Sequence, residues 1–502
     1  MHNPSPEPFI DPNQVNEILN SRFGHPSLRP IQRNVVSRLL GLDTPAGDAL
    51  LVLPTGGGKS LCFQLPALVH AATRTPPGVT LVLSPLIALM EDQVSALTKR
   101  GIKAACINST VGRKKREERQ AKLARGAYEL IYATPERLDK PEFREALDKV
   151  PGGVNLLAID EAHCISKWGH DLRPAYARVG DFRREIGSPR TIALTATATA
   201  RVRDDIRDVL GLDQSRMPLF ATGIDRPNLE LDAEEVWSDM DVVDRVNQTS
   251  RELGGTGIVY FALIKDLERF AADIQRAAHP GTDVAIYHGR LDPREKKRVY
   301  ARFIESGRSD PLILCATNAF GMGVDKPDIR SVIHAQIPGS IEAYWQEVGR
   351  AGRDGDPSRC LMCYRQEDLA IQQQFIEWQN PSADLLVQLM SAIEARYAGG
   401  ADGHGTFDAD DLRLDVVGKG HAHGRGGGVI EQGLITLGKL GGIEPAETTG
   451  RWRYVRTLDD AEIDPADIED KKKRDLMRLL DVVKLTKAGD IRRAVLEYFE
   501  LS

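Results

Sequence analysis

One glycine-rich segment has the residue types that bind phosphate groups. The segment LPTGGGKS (residues 53–60) follows a short apolar run and precedes a stretch with the pattern of a helix. In such a segment the backbone N–H groups and the start of the helix bind phosphates, a lysine reaches the β- and γ-phosphates, and a hydroxyl group binds Mg²⁺. Lys59 and Ser60 occupy these two positions. The sequence therefore predicts an ATP site, whose loop residues are Thr55, Gly56, Gly57 and Gly58.

A pair of acidic residues suits the hydrolysis of that nucleotide. The segment LLAIDEAH (residues 156–163) is an apolar strand that ends in Asp160 and Glu161. Asp160 is suited to hold Mg²⁺ through water, and Glu161 to act as a general base that orients the attacking water. The alternative interpretation is two solvated acids at the start of a helix. A strand that ends in this way after a phosphate-binding loop favours the ATPase.

Two arginines far along the chain complete this chemistry. In QEVGRAGRDG (residues 346–355), Arg350 and Arg353 are three residues apart, and they share one face if the segment is helical. Both are expected to contact the γ-phosphate and to stabilise the charge of the phosphoryl group during transfer. Two ordinary surface arginines are the alternative. A site divided between distant segments would convert nucleotide state into domain motion.

Two sets of strands must bring these segments together. Apolar runs alternate with amphipathic stretches from about residue 50 to 210 and again from about 257 to 364, which is typical of parallel sheets with crossover helices. We expect an α/β fold with two lobes, residues 1–222 and 223–364, joined by a linker at residues 223–241. The motifs follow the strands, where open parallel sheets bind ligands.

The pattern becomes mainly helical after residue 364. A helix near residues 429–440 and two short strands predict a winged helix within residues 365–463, followed by a helical segment at 464–502. Arg451, Arg453 and Arg456 surround the second strand and could contact DNA phosphates. The open alternative is that Trp452 and Tyr454 pack in the core of this domain while the arginines form a solvated face.

Composition limits the other function classes. The 502 residues are enough for about three domains, at roughly 150 residues per domain. A hydrophobic fraction of 41% and a charged fraction of 27% indicate a globular protein, and no apolar run predicts a membrane span or a signal peptide. The net charge of −6 means that any contact with nucleic acid must be local. Cys360 and Cys363 form a CxxC pair on opposite faces of a strand, which predicts a structural role.

Taken together, these motifs resemble the RecQ family of superfamily 2 DNA helicases, over about residues 9–364. The resemblance implies two RecA-like lobes. The segment FGHPSLRPIQ (residues 23–32) is similar to the adenine motif of the family. It implies that Arg29 and Gln32 contact the base and that His25 stacks on it.

A second segment, CISKWGHDLRPAY (residues 164–176), resembles the aromatic-rich loop of the family. By this resemblance Trp168 and Tyr176 meet unstacked bases, and Arg173 couples strand binding to the nucleotide side. Other motifs are similar to the family's DNA-tracking motifs and imply DNA contacts for Asn108, Thr317 and Asn318. Asp325 is implied to complete the nucleotide site.

The resemblance implies an ATP-dependent helicase that moves 3′ to 5′ on single-stranded DNA and unwinds duplex or branched DNA, with ATP and Mg²⁺ as cofactors. It implies a cytoplasmic protein, associated with the nucleoid in a bacterium, that acts in repair and recombination. The alternatives are a DNA-stimulated translocase with little unwinding and a non-catalytic, ATP-gated DNA-binding protein. The family generally has four zinc-binding cysteines after the motor, whereas this chain has none after Cys363, so we expect no zinc site.

Overall fold

The apolar runs of the sequence form the central strands of two parallel sheets. The computed structural model describes residues 10–108, 110–166, 176, 178–321, 324, 326–398, 405–416, 427–446, 451–459 and 462–499. Runs such as ALLV, VTLVL and LILCA are buried along their whole length. A parallel strand needs apolar residues on both sides because both faces of its sheet are covered.

The first lobe contains a sheet of seven strands within the described residues, in the order β3-β4-β2-β5-β6-β1-β7. Alternate residues of these strands belong to two cores: Leu51 and Val82 lie in one, and Leu50 and Leu83 lie in the other. The strands are β1 (Ala49–Val52), β2 (Val79–Leu83), β3 (Ala104–Ile107), β4 (Leu130–Ala133), β5 (Val154–Ile159), β6 (Arg190–Thr195) and β7 (Leu219–Ala221).

The helices of this lobe lie between the strands in sequence. Proline or a polar cap begins several of them, as in α8, where the Thr199 side chain accepts from the Val202 N–H. A π-helical turn, Leu19–Phe23, follows α1. The helices are α1 (Pro12–Ile18), α2 (Pro30–Leu40), α3 (Leu61–Thr73), α4 (Ile87–Lys99), α5 (Arg113–Ala124), α6 (Pro141–Asp148), α7 (Val179–Glu185) and α8 (Ala200–Leu210).

The second lobe is built on a sheet with the order β10-β11-β9-β12-β13-β8 among the described residues. Its strands are β8 (Leu229–Glu235), β9 (Thr256–Tyr260), β10 (Asp283–Tyr287), β11 (Leu312–Ala316), β12 (Ile329–His334) and β13 (Ser358–Tyr364). Its helices are α9 (Asp239–Leu253), α10 (Ile264–Ala277), α11 (Pro293–Glu305) and α12 (Ile341–Val348). Two parallel-sheet lobes confirm the predicted α/β fold.

The linker predicted at residues 223–241 is wrong in its extent. Residues 229–235 form β8 at the edge of the second sheet, so the connector between the lobes runs only from Ala221 to Leu229. The sequence LELDAEE of this strand carries four acidic residues and is only partly buried. An edge strand tolerates acidic residues because one side of it faces solvent. These residues interrupt the apolar pattern by which a strand is recognised in the sequence.

The residues after the second lobe were predicted to divide at residue 464, but the structure divides them elsewhere. One compact unit comprises Gln336–Ile341 and Tyr364–Lys487, whereas Ala488–Ser502 belongs with Met1–Ala335 and Glu342–Cys363. Thus α17 (Pro465–Thr486) belongs to the smaller unit, and α18 (Ile491–Phe499) belongs to the unit that contains both lobes. The sequence did not reveal this because both helices carry the same mixture of charged and apolar residues.

The smaller unit contains the element order of a winged helix. After α13 (Asp368–Gln379) come α14 (Ala383–Tyr397), β14 (Thr406–Phe407), α15 (Ala409–Val416), α16 (Gly427–Lys439), β15 (Ile443–Pro445) and β16 (Trp452–Tyr454). The three strands form an antiparallel sheet in the order β14-β16-β15. Its core includes Leu386, Leu389, Phe407, Leu434 and Ile443.

Candidate active site

The phosphate-binding loop lies between β1 and α3, as the sequence predicts. Gly56 and Gly58 have φ of +80° and +82°, which a residue with a side chain rarely adopts. The Lys59 ammonium donates to the Leu53 carbonyl at 2.9 Å, so it lies over the loop. Thr55 is half-buried. Small residues, a nearby ammonium and the start of a 13-residue helix fit a chain of phosphates.

Lys59 lies in a dense group of charges. Burial lowers its pKa, the carboxylates of Glu161 and Asp160 act in the opposite direction, and the guanidinium of Arg353 lowers it further. Arg353 belongs to the second lobe, and the other three groups belong to the first. Two cations facing one pocket favour the binding of a polyanion, because its charge would relieve their mutual repulsion.

Strand register determines the position of Asp160. In β5, Ile159 pairs with Leu83 of β2 and with Ala193 of β6. The next residue, Asp160, therefore emerges beside Ser84, whose hydroxyl donates to Asp160 Oδ2 at 3.5 Å. Burial raises the pKa of Asp160 to about 7, and the neighbouring Glu161 raises it as well. A buried carboxylate without enough compensating charge is the kind of ligand that a cation stabilises.

Glu161 is held in a strained conformation. Its φ of 50° and ψ of 48° place it in the left-handed region, at a cost of about 1–3 kcal/mol. Its Oε2 atom is buried without a hydrogen-bond partner among the described residues, although it lies 3.3 Å from His163 Nδ1. A carboxylate oxygen without a hydrogen-bond donor from the protein can accept a proton from water, so the geometry fits a general base.

The histidine of DEAH bonds to a residue of another motif, a role that the DEAH motif alone does not assign. His163 Nδ1 lies 2.9 Å from Thr195 Oγ1, and that hydroxyl donates to the Thr197 carbonyl at 2.9 Å. The hydroxyl has one proton, so the imidazole donates through Nδ1. Hydrogen bonds thereby tie the sequence LTATAT (residues 194–199) to the histidine of DEAH, whose Nδ1 also lies 3.3 Å from Glu161 Oε2.

The segment of the two arginines is not helical, so the condition for a shared helical face is not met. Helix α12 ends at Val348, and both arginines lie in the turns that follow. Arg350 is 5% exposed and donates to the Gly321 carbonyl within its own lobe. Arg353 donates to the Val324 carbonyl of its own lobe at 2.7 Å and also lies against the first lobe: its Cδ is 3.5 Å from where a Cβ on Gly56 would be. Arg353 is therefore the arginine that the structure brings to the phosphate-binding loop.

The residues of the adenine motif also contact that loop. Arg29 Nη1 donates to the Gly57 carbonyl at 3.2 Å, and Gln32 Nε2 donates to the Gly58 carbonyl at 3.2 Å. Gln32 Oε1 accepts from the Arg29 N–H, so both ends of this amide have protein partners. Gln32 would have to exchange these partners to bind a base. His25 is exposed in the preceding loop.

Two of the residues expected to contact DNA are buried. Tyr176 is 0% exposed, and its hydroxyl donates to the Asp160 carbonyl at 3.0 Å. Asn108 is also 0% exposed, and its Oδ1 accepts from the N–H groups of Thr110 and Val111. A base cannot stack on a ring without exposed surface, so this structure does not place Tyr176 for stacking. Asn108 likewise offers no exposed surface to a DNA backbone, and both contacts stay predictions. The Tyr176 side chain instead bonds to the backbone of the DEAH motif, and the Asn108 side chain bonds to the backbone of the turn that follows β3.

The other expected DNA contacts differ in accessibility. Thr317 is 7% exposed and its N–H donates to the Tyr287 carbonyl at 3.1 Å, whereas Asn318 is exposed at the end of β11. Asn318 is thus the accessible member of this pair. Trp168, Arg173 and Asp325 lie outside the described residues.

Ser60 and a residue that the motifs did not identify complete the region. Ser60 is half-buried, and its hydroxyl accepts from Gln93 Nε2 at 3.3 Å. Gln93 belongs to α4, within the segment SPLIALMEDQV (residues 84–94), and nothing in that segment distinguished it as a site residue. The hydroxyl of Ser60 and the carboxylate of Asp160 are oxygen ligands of the kind that Mg²⁺ prefers.

The arginines near the winged-helix strands have acidic partners within that unit. Arg451 donates to Asp408 at 3.0 Å and to Asp411 at 2.8 Å, and Arg456 donates to Glu462 at 2.7 Å. Arg453 pairs with Glu444. Trp452 packs against Gly438, where a Cβ would approach its ring to 2.7 Å. The structure therefore favours the alternative in which Trp452 and Tyr454 pack against the core of this unit and the arginines form a solvated face. On that face the arginines are paired with acidic residues.

Two features are absent from the described residues. No described helix combines the length and the apolar character that crossing a bilayer requires. In the same part of the chain, no group of three or more His, Cys, Asp or Glu side chains is arranged to hold a metal ion. Cys360 and Cys363 are both buried as free thiols.

The chain matches two families of helicase domain. Residues 29–206 match the DEAD/DEAH box helicase family, and residues 240–355 match the helicase conserved C-terminal domain. A relative described as "Probable ATP-dependent DNA helicase RecS", from Bacillus subtilis (strain 168), is 38% identical over 382 residues, which cover 76% of this chain and 73% of the relative. "ATP-dependent DNA helicase RecQ" of the same organism is 43% identical over 368 residues, covering 73% of this chain and 58% of the relative.

A solved structure shows the same fold at lower identity. The crystal structure of the DUF1998 helicase MrfA bound to DNA superposes with a TM-score of 0.59 at 19% identity. The match covers 92% of this chain and 65% of that one. At this identity the likeness concerns the fold alone. The chain spans little more than half the length of several curated relatives, for example 57% of the "Putative ATP-dependent DNA helicase Q1" of Caenorhabditis briggsae.

Proposed function

Because the chain belongs to the RecQ family of ATP-dependent DNA helicases, we propose that it hydrolyses ATP between its two lobes and uses this cycle to unwind DNA. The observation that carries the proposal is the contact of Arg353, from the second lobe, with the loop around Gly56 of the first. An arginine that reaches a phosphate site from a separate lobe makes hydrolysis depend on closure of the lobes.

Each step has a candidate residue. Lys59 and the N–H groups before α3 would bind the β- and γ-phosphates, and Arg353 would stabilise the charge that spreads over the γ-phosphoryl group. Glu161 would accept a proton from the attacking water. Arg29 and Gln32 would contact the adenine, with His25 beside it, and Asp325 would complete the site.

Magnesium bound with the nucleotide would neutralise charge on the phosphates. Ser60 and Asp160 would hold this ion, through the hydroxyl and the carboxylate. The raised pKa of Asp160 supports this role, because a divalent cation would stabilise the ionised form that burial disfavours.

The DNA substrate follows from the family. We propose movement from 3′ to 5′ along single-stranded DNA, with unwinding of duplex or branched DNA and a role in repair and recombination in the cytoplasm, at the nucleoid in a bacterium. Asn318 is exposed at the end of β11 and is suited to contact the DNA backbone, and Trp168 and Arg173 are the further proposed contacts. Backbone contacts do not distinguish bases, so the activity would be largely independent of sequence.

Arginine pairing near the winged-helix strands supports a second candidate, a DNA-stimulated translocase with little unwinding. Arg451, Arg453 and Arg456 each have acidic partners, which reduces the positive charge available to a duplex. Strand separation requires a contact with the duplex in addition to the motor, so weak contact there would leave movement without unwinding.

ATP hydrolysis by the purified chain, with and without single-stranded DNA, tests the proposal. A 3′-tailed duplex measures unwinding in the same preparation, and Lys59→Ala serves as the inactive control. Stimulated hydrolysis with unwinding supports a helicase. Stimulation alone supports the translocase, and no hydrolysis with DNA present would support ATP-gated binding and contradict both motor functions.

A further inference from the structure

A connector arginine holds the turn that carries Arg350 and Arg353. Arg226 lies between β7 of the first lobe and β8 of the second. Its Nη2 donates to the carbonyls of Ala351 at 2.9 Å and Gly352 at 2.7 Å, and its Nη1 donates to the Gly349 carbonyl at 3.4 Å. One guanidinium thus binds the backbone on both sides of Arg350 and immediately before Arg353.

These carbonyls lie in the turns that follow the end of a helix. Helix α12 stops at Val348, and its last carbonyls accept from the N–H groups of the next residues, so Arg226 binds the turn beyond the helix. The negative end of a helix also favours a nearby cation. Arg226 supplies both a positive charge and several N–H groups in a fixed planar arrangement, which lysine could not reproduce.

Asn228 holds the same turn from a second direction. Its Nδ2 donates to the Gly352 carbonyl at 2.9 Å and to the Asp356 carbonyl at 3.0 Å. Gly352 has a φ of +52°, and a Cβ on it would lie 2.5 Å from this nitrogen. The turn can approach the connector this closely only because residue 352 has no side chain.

Arg492 of α18 contacts the connector in turn. Its guanidinium donates to the Arg226 carbonyl at 2.9 Å, and it also bonds to the Asp225 carboxylate and the Leu229 carbonyl. Helix α18 is anchored by buried Val495 and Phe499, both 0% exposed. Hydrogen bonds therefore run without interruption from α18 through the connector to the turn of Arg353.

We propose that Arg226 is a positioning residue for ATP hydrolysis, supported by Asn228 and Arg492. It fixes the turn from which Arg353 reaches the phosphate-binding loop, so the position of this arginine depends on the connector between the lobes. When the lobes open or close, the connector would move the turn with it. The inference rests on the proposed function, because its effect is measured as hydrolysis.

The test compares Arg226→Ala with the unaltered chain and with Arg302→Ala. Arg302 is a matched control because it is a partly buried arginine of the second lobe that pairs with Asp283 and Asp310 instead of the turn. We expect Arg226→Ala to lower kcat for DNA-stimulated hydrolysis about 10- to 100-fold, as a displaced catalytic group does, and to change KM for ATP less than about 3-fold. Arg302→Ala should retain the kcat of the unaltered chain.

A transition-state mimic separates positioning from a general loss of structure. ADP with aluminium fluoride imitates the phosphoryl group during transfer. In the unaltered chain the fluoride should strengthen ADP binding, and in Arg226→Ala this gain should be lost while ADP alone binds normally. A merely structural defect would weaken ADP binding and lower the Tm.

Milder variants keep the inference testable if Arg226→Ala folds poorly. Asn228→Ala should lower kcat about 3- to 10-fold, and Arg492→Ala should act in the same direction. Adding Arg492→Ala to Arg226→Ala should cause little further loss, because both act through one path. A normal kcat in Arg226→Ala and Asn228→Ala, or a change in KM alone, would overturn the inference. No hydrolysis by the unaltered chain would instead refute the proposed function, and this inference with it.

Discussion

Arg353 of the second lobe lies against Gly56 of the first, with its Cδ 3.5 Å from the position that a Cβ on Gly56 would occupy. Arg350, three residues earlier, is instead buried and bound to the Gly321 carbonyl. The two arginines of one motif therefore differ in their surroundings. We propose the phosphate contact for Arg353, whereas Arg350 binds the backbone of its own lobe.

Replacing Arg353 tests its catalytic role. We expect Arg353→Ala to lower kcat for ATP hydrolysis about 10³-fold or more, because an arginine supplied to the γ-phosphoryl group has an effect of that size. Nucleotide affinity should change little, as measured by equilibrium binding of a fluorescent ATP analogue. Arg359→Ala is the control, since Arg359 pairs with Asp232 and Glu252 in the same lobe. Hydrolysis by Arg353→Ala at the normal rate would show that another residue supplies this charge.

Glu161 is expected to act on the attacking water. Glu161→Gln removes the base but keeps the shape of the side chain, so kcat should fall about 10²- to 10⁴-fold while ATP still binds. Single-turnover hydrolysis measures this step directly. Glu145→Gln, an exposed residue of the same lobe paired with Lys149, should behave as the unaltered chain. A burst of product from Glu161→Gln equal to that of the unaltered chain would exclude the role.

Tyr176 distinguishes a buried positioning residue from a base-stacking one. Tyr176→Phe removes the hydroxyl that donates to the Asp160 carbonyl, and should lower the free energy of unfolding by about 1 kcal/mol. Affinity for single-stranded DNA should stay within about 2-fold, since the buried ring is expected to make no contact with bases. Tyr132→Phe, in which a buried hydroxyl also loses its partner Gln64, is the control. A large loss of DNA affinity at unchanged stability would restore the stacking role.

Asp160 should make stability depend on pH in the absence of nucleotide and Mg²⁺. Burial, followed by Glu161, raises its pKa to about 7, whereas an unfolded aspartate has a pKa of about 3.9. Between these values the folded protein keeps a proton that the unfolded chain releases, so this residue lowers stability as pH rises from 4 towards 7. Asp160→Asn cannot ionise and should be more stable than the unaltered chain at pH 8, by a free energy on the order of 1 to 3 kcal/mol.

Thermal unfolding at several pH values measures this difference. The advantage of Asp160→Asn should shrink steadily as the pH falls from 8 to 5. Asp139→Asn is a suitable control, because Asp139 forms an exposed pair with Arg178. A stability difference that stays constant over this range would mean that Asp160 is already ionised in the folded protein.

Local sequence determined the elements that carry the chemistry. Buried runs such as LLAI and LILC predicted the parallel strands, because only a sheet covered on both faces needs apolar residues at every position. The glycines and Lys59 predicted the phosphate-binding loop, because few other sequences can adopt its backbone and carry its charge. The strands and the phosphate-binding loop depend on residues that are neighbours in the chain. For that reason both can be predicted from the sequence.

Only the tertiary structure decided how side chains from distant segments combine. Arg350 and Arg353 look equivalent in sequence, and both follow the end of α12 at Val348. In the structure, Arg350 is buried in its own lobe, whereas Arg353 lies against Gly56 of the first lobe. Tyr176 is a core residue because its ring packs among apolar residues of the first lobe, where its hydroxyl also reaches the Asp160 carbonyl. The contacts of Arg226 join residues more than a hundred positions apart. Such contacts are set by packing and register, which local composition does not encode.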